Sequence, residues 1–229
     1  MPDWREEAIG RHHDRKAFDC GVPALNDYLH RYARQNHESG GAKTFVAVLP
    51  GEPARVRGFY SIAPGAIEFA RVPAGLTRGL GCHEVPVFRL GRLAVALGVQ
   101  GRGLGGELLL AAGARALAVA AEVGGVALTI DAKNAKAARW YARFGALALL
   151  DDPLKLILPL ATVAQAIQAA GRRRRGWGGS SAACGSRPRR GAAPGRRVQH
   201  GRRGGRQLRQ HPGGVEVRAD RIIFSSCRD

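Results

Sequence analysis

The sequence predicts a mixed α/β domain followed by a low-complexity tail. Three observations lead there. Apolar periodicity along the first 160 or so residues alternates between helical and strand spacing. A glycine-rich turn, Gln100-Gly101-Arg102-Gly103-Leu104-Gly105, stands between a long strand pattern and a long helix pattern. Composition then breaks near Gln168. Residues 1–168 carry 20 Lys and Arg against 15 Asp and Glu, whereas residues 169–229 carry 16 Arg, no Lys and 3 acidic residues. Most of the net charge of +18 therefore sits in the last quarter of the chain.

The elements follow in order. Pro23 to about His37 predicts a helix, because Leu25, Tyr28, Leu29, Tyr32 and Ala33 form one apolar stripe and Pro23 suits a first helical position. Lys43–Leu49, Val56–Ala63 and Ala66–Phe69 predict strands, the last two parted by Pro64-Gly65. Arg71–Glu84 predicts a loop. Pro86–Val95 predicts a long strand, with proline where no ladder donor is needed. After the glycine turn come a helix from about Gly103 to Glu122, a buried strand Val126–Ile130 and a short helix Asn134–Phe144 stopped by Gly145. Ala146–Leu150 and Leu154–Leu160 predict two last strands. The order is roughly α-β-β-β-β-α-β-α-β-β.

Beyond Gln168, Arg, Gly, Ser and Pro dominate. Such a composition buries too little apolar surface to offset chain entropy, so a disordered extension without a selected role is expected. Its alternative is a basic tail that binds nucleic acid. Met1 to Glu7 contains no apolar run, and Leu104 to Val123 is interrupted by Glu107, Arg115 and Glu122. Neither a signal peptide nor a membrane span is expected, and the expected location is cytoplasmic. The four cysteines, Cys20, Cys82, Cys184 and Cys227, have no metal-ligand spacing, so no metal is expected.

The glycine turn predicts an anion site. Glycines let a ligand approach the backbone, and a helix start offers unpaired N–H groups with partial positive charge. A P-loop is excluded, because Gly106-Glu107 follows where Lys and Ser or Thr belong. A dinucleotide fingerprint is met by Gly101, Gly103 and Gly106, with Asp131 ending the next strand. It comes late in the domain, however, and too little chain follows for a second half-sheet. A third pattern, Gln-x-x-Gly-x-Gly, is met by Gln100, Gly103 and Gly105. The turn alone does not choose between the last two.

Context does. The strand Arg89-Leu90-Gly91-Arg92-Leu93-Ala94-Val95, the glycine turn, and Asn134-Ala135-Lys136-Ala137-Ala138-Arg139-Trp140-Tyr141 resemble the coenzyme half of the GNAT acetyltransferases. His13-Asp14-Arg15, Phe18-Asp19-Cys20-Gly21, Leu25-Asn26-Asp27-Tyr28-Leu29 and Phe59-Tyr60-Ser61-Ile62 resemble the GNAT toxins of type II toxin–antitoxin systems. The resemblance covers residues 10–161 and leaves the tail without a counterpart. It implies a mixed, mostly antiparallel sheet with splayed central strands flanked by helices, a domain of residues 1–168, and acetyl-CoA as acetyl donor. It implies that Leu93, Ala94 and Val95 bond the pantetheine arm, that Gln100, Gly101, Arg102, Gly103, Leu104, Gly105 and Gly106 take the pyrophosphate, and that Asn134 contacts the coenzyme. Tyr141 is implied as the proton donor to the leaving thiolate. The implied acceptor is the α-amino group of aminoacyl-tRNA, with translation blocked as the result. A cognate antitoxin protein and a homodimer are implied as partners.

Arg78, Arg89 and Arg92 are the candidate tRNA contacts. Arg89 and Arg92 stand three apart on a strand, which predicts that they point to opposite faces. Neither Glu84 nor His83 makes a persuasive general base. Two other functions stay open on the residues alone: an acetyltransferase acting on a small amine or a protein amine, and a basic nucleic-acid-binding protein without catalysis.

Overall fold

In a computed structural model, residues 4–81 and 83–176 are described, and the predicted disordered tail lies almost wholly outside them. Seven strands form one sheet in the order β1-β2-β3-β4-β5-β7-β6. They are β1 (Arg5–Ala8), β2 (Lys43–Val48), β3 (Gly58–Glu68), β4 (Glu84–Val95), β5 (Ala127–Asp131), β6 (Leu147–Ala148) and β7 (Lys155–Pro159). Only β4 and β5 run parallel; every other neighbouring pair is antiparallel. The crossover between the parallel pair is the long helix α4 (Leu104–Val123), as a parallel connection requires.

Alternation along the strands makes two apolar faces. On one, Phe45, Tyr60, Ile62, Phe88, Leu90, Leu128 and Ile130 pack against Leu104, Leu108, Leu109, Ala112 and Ala116 of α4. Each of those leucines contributes about 1.5–3 kcal/mol by leaving water. By length and mean hydropathy α4 would pass for a membrane span. Its leucines are instead spent on this core, in line with the reading of Leu104–Val123 as a helix of a folded domain. The other face is covered in two places. One is α1 (Pro23–Asp27) with α2 (Ala33–Ser39), over Val46, Val48, Phe59 and Ala94. The other is α3 (Ala74–Thr77) and its flanks, over Ile67, Val85, Val87 and Ile157.

Several expectations are corrected. Val56–Ala63 and Ala66–Phe69 are one strand, β3, which runs straight through Pro64-Gly65 because β4 pairs it along its whole length. The helix expected from Pro23 to His37 is interrupted between α1 and α2 by a π turn, Tyr28–Tyr32, closed by Ala33 N–H donating to Tyr28 O. That wider turn keeps Leu29 and Ala33 buried but swings Tyr32 off the predicted stripe, to 48% exposure. The loop Arg71–Glu84 contains α3. Ala146–Leu150 shrinks to the two residues of β6.

Two elements were not foreseen. The strand β1 joins the sheet edge beside β2, and Glu6 ties it to Tyr60 and to Arg115 of α4. The helix α6 (Leu160–Gly176) follows β7 and crosses the expected boundary at residue 168. Leu160, Val163 and Ile167 carried helical spacing for it, and Val163 packs within 2.6 Å of where a side chain on Gly113 would begin.

Candidate active site

The glycine turn is built for a ligand on one side and for packing on the other. Gly101 and Gly103 have φ of +76° and +92°, which side chains rarely tolerate. A Cβ at either position would meet nothing within 4 Å, so their outer side is open. Gly103 is the N-cap of α4 and supplies no side-chain cap. The first amides of the helix are therefore left for an external acceptor. Arg102, exposed between the two glycines, adds a cation there.

Gly105 and Gly106 do something else. A Cβ on Gly105 would touch Trp140 at 3.4 Å, and one on Gly106 would crowd Phe144 at 3.0 Å. The Gly106 amide already donates to Gly103 O at 3.0 Å. These two glycines let α4 close on α5 (Ala135–Ala142), and of the seven residues 100–106 expected at the anion, Gly101 and Gly103 are those whose outer side is open. Leu104 is buried and offers only backbone. The Gln100 side chain is held by the protein itself. Its amide donates to Val95 O at 2.9 Å and to Cys20 O at 3.0 Å. With Leu97 N–H donating to Asp19 O, it ties the Asp19-Cys20-Gly21 turn to the coenzyme turn across some 80 residues of sequence.

Beside the cradle the sheet opens. β4 and β5 pair from Val87↔Ala127 to Leu90↔Ile130 and no further. Past Leu90, β4 continues to Val95 on β3 alone, which is the splay the resemblance implies. Ala96 N–H donates to Arg57 O on the β3 side. Alternate residues of an antiparallel ladder bond the same neighbour, so Ala94 also faces β3. Leu93 and Val95 are then the pair that presents backbone groups to the opening, with Val95 O taken by Gln100.

The helix α5 borders the opening on the α4 side. Asn134 caps it: its Oδ1 accepts from Ala137 N–H at 2.9 Å, leaving the side-chain NH2 as a donor. Ala137, Ala138, Trp140, Tyr141 and Phe144 pack against the core. Burial pushes the Tyr141 phenol up to about 12.

Arg89 and Arg92 overturn a sequence expectation. They lie on the same face. The register shifts between Ser61 and Ile62, so that Ser61 pairs with Arg92 and Ile62 with Leu90, leaving Gly91 as an extra residue. This bulge resets the alternation between the two arginines. Both sit in the gap between the α1–α2 cover and the α3 cover. Arg89 is paired with Asp131 at 2.6 Å. Arg92 lies 5.0 Å from the centre of the Tyr28 ring and donates to Gly91 O at 2.6 Å. Arg78 lies just beyond α3, exposed and apart from these two along the sequence. Tyr28 and Ser61 belong to segments that carry the family resemblance, but nothing in their spacing marked them as site residues.

Glu84 pairs with Glu68 at the far end of β4 from Gly91, and His83 precedes it. At ~3.3 Å per residue, Glu84 is about 23 Å from the opening, so neither residue belongs to it. A cluster of Glu7, His12 and His13 holds its ligand atoms within 4.8 Å of one another. It is a poor metal site. Gly10 N–H donates to His13 Nδ1 at 2.8 Å, which places the ring proton on Nε2, where it donates to Glu7 at 2.8 Å. A metal on Nε2 would leave that proton no place.

An open uncapped helix start, a splayed strand pair with free backbone on β4, and a half-buried phenol across from a cationic gap fit an acyl-coenzyme A and an acceptor meeting through the sheet. Comparison with known proteins agrees. Residues 15–146 match the Acetyltransferase (GNAT) family. A tRNA-acetylating toxin of Mycobacterium tuberculosis is 39% identical over 145 residues, covering 63% of this chain and 85% of the relative. Among solved structures, AtaT complexed with acetyl-methionyl-tRNAfMet superposes with a TM-score of 0.68 at 24% identity, covering 72% of this chain and 99% of that one. A tyrosine-to-phenylalanine variant of the AtaT toxin, bound to the C-terminus of the antitoxin AtaR and acetyl-CoA, gives 0.62 at 23% identity, covering 72% and 98%. The chain belongs to the GNAT acetyltransferase family, and it is an N-acetyltransferase that uses acetyl-CoA.

Proposed function

We infer that the chain acetylates the α-amino group of aminoacyl-tRNA, that this blocks translation, and that an antitoxin protein holds it in check. The observation that carries the reading is the 39% identity to a tRNA-acetylating toxin over nearly the whole domain. The complex of AtaT with the C-terminus of AtaR supports the antitoxin part. The cytoplasm, where charged tRNA is found, is the location that goes with this reading.

The site's chemistry supports it too. Bound acetyl-CoA supplies an acetyl thioester: the N–C bond forms, the C–S bond breaks, and one proton moves from nitrogen to sulfur. The acceptor nitrogen must be neutral to attack, and the carboxylate that ends β5 beside the opening, Asp131, is already paired with Arg89. An α-amino group titrating near ~8 is partly neutral at neutral pH without help, whereas a lysine near ~10.4 is almost wholly charged. The site therefore suits an α-amine better than a lysine.

Tyr141 takes the proton-donor role. With its pKa near about 12, outright transfer to a thiolate titrating near ~8.5 would run uphill by about 5 kcal/mol. The phenol must instead give its proton to sulfur while taking one from the acylated nitrogen, and it ends the step neutral. Gly101, Gly103 and Arg102 hold the pyrophosphate, and Leu93 and Val95 hold the arm. Ala94, Gln100, Leu104, Gly105 and Gly106 shape that surface, and the free NH2 of Asn134 faces the coenzyme side. Assembly as a homodimer is part of the same proposal; Leu147 on the short edge strand β6 and Leu150 just after it, 45% and 69% exposed, are side chains that such an interface would cover.

Radiolabelled acetyl-CoA offered with charged tRNA, deacylated tRNA and a lysine peptide tests the acceptor. Label is expected in charged tRNA alone. Label in the peptide, with charged tRNA untouched, defeats the reading. This reading assigns the activity to residues 1–176, so a chain ending at Gly176 should bind acetyl-CoA within about twofold of the full chain.

A further inference from the structure

The cationic gap is asymmetric in a way that points to its use. Arg89 and Arg92 share it, but Arg89 spends its charge on Asp131. Among the described residues, Arg92 has no carboxylate within ion-pair distance and is exposed. Its guanidinium is nevertheless held in place. It lies over the Tyr28 ring at 5.0 Å and donates one N–H to Gly91 O. A guanidinium held over an aromatic face with one N–H given to a carbonyl keeps further N–H donors for an anion such as a phosphate.

The seat itself is anchored. Tyr28 OH lies 2.9 Å from Ser61 Oγ, and Thr44 Oγ1 donates to the same Ser61 Oγ at 3.1 Å. Ser61 and Thr44 are buried in strands β3 and β2. Tyr28 opens the π turn between α1 and α2, and its ring stacks on Phe59 with centroids 6.2 Å apart. On the other side, Gly91 is both the bulge that turns Arg92 to this face and the residue at which β4 leaves β5. The free cation therefore stands at the mouth of the opening, on the face away from Tyr141.

We propose that Tyr28 is a positioning residue, which holds Arg92 to receive a backbone phosphate at the 3′ end of the RNA acceptor. The inference rests on the reading of the acceptor as charged tRNA. Arg92 touches the acceptor; Tyr28 acts through it. A seat removed is then equivalent to the cation removed, for the acceptor alone.

The test is a double-mutant cycle in the full chain. Tyr28→Leu is expected to raise KM for charged tRNA about tenfold, with kcat and KM for acetyl-CoA unchanged. Tyr28→Phe keeps the ring and should recover most of that loss. Arg92→Ala should raise the same KM as much and lower the slope of log KM against log salt by about 1. Once Arg92 is alanine, adding Tyr28→Leu should change nothing further. Additive effects, an unchanged salt slope, or an equal fall in kcat for both substrates would overturn the proposal. If the wild-type chain acetylates no charged tRNA, the functional reading fails. The same cycle, read by fluorescence anisotropy on an acceptor-stem RNA hairpin ending in CCA, then decides this inference separately: coupled losses uphold it and additive losses sink it.

Discussion

The cradle at Gly101–Gly103 and the ledge at Arg92 stand at one opening in the sheet, yet they are made from different parts. The cradle is backbone: two glycines at positive φ and an uncapped helix start. The ledge is side chain: one arginine, one tyrosine, and two hydroxyls behind them. A pyrophosphate is the same in every acyl-coenzyme A, so main-chain amides can bind it wherever a glycine turn meets a helix. An acceptor varies, and side chains are the part of a fold that can vary with it.

That contrast can be broken or sharpened by experiment. The largest effect is expected at Tyr141, between the two regions. Tyr141→Phe should cut acetyl transfer about 10²–10⁴-fold while leaving acetyl-CoA affinity unchanged by calorimetry. Because burial disfavours the phenolate, Tyr141 stays protonated until the pH nears its raised value of about 12. The wild-type rate should therefore show no falling limb from this residue below about pH 11. Full activity in the variant would remove the proton-donor role.

Next comes the cradle. Gly103→Val forces a branched residue into a left-handed conformation, at about 1–2 kcal/mol, and puts its side chain where the ligand approaches. Acetyl-CoA should bind roughly 10–100-fold more weakly, with an unchanged circular dichroism spectrum and unchanged RNA binding. A variant that binds normally would move the pyrophosphate elsewhere. Gln100→Ala removes two bonds to carbonyls, each worth about 0.5–1.5 kcal/mol. We expect KM for acetyl-CoA to rise about three- to tenfold, since the turn loses its tie to Cys20. If KM for charged tRNA rises instead, Gln100 belongs to the other region.

The smallest effect is expected at Arg89. Its pair with Asp131 joins two side chains that are 60% and 46% exposed, so Arg89→Ala should change stability in urea by less than about 1 kcal/mol. Its effect on KM for charged tRNA should be smaller than that of Arg92→Ala. A larger one would exchange the roles of the two arginines.

How much was legible follows the same division. The helix α4, the strand β4, the short helix from Asn134 and the glycine turn were readable because each depends on local chemistry: periodicity, helix stops and φ preference. The strand β1 was not, since four residues with two glutamates carry no strand signal until Glu6 meets Tyr60 and Arg115. Helix α6 was hidden by the change of composition that begins inside it. The π turn at Tyr28–Tyr32 could not be read from spacing, because the same apolar residues fit a regular helix.

The sequence by itself determined the glycine turn and the helix start that follows it, because both act through the backbone they belong to. It also carried the family. Only the tertiary structure decided which glycines stay open and which face Trp140 and Phe144, and that Arg92 stands beside Arg89 instead of behind it. One extra residue at Gly91 made that last decision. Strand alternation has a period of two, so a single bulge reverses every side chain beyond it, and a bulge exists only once a partner strand has been chosen.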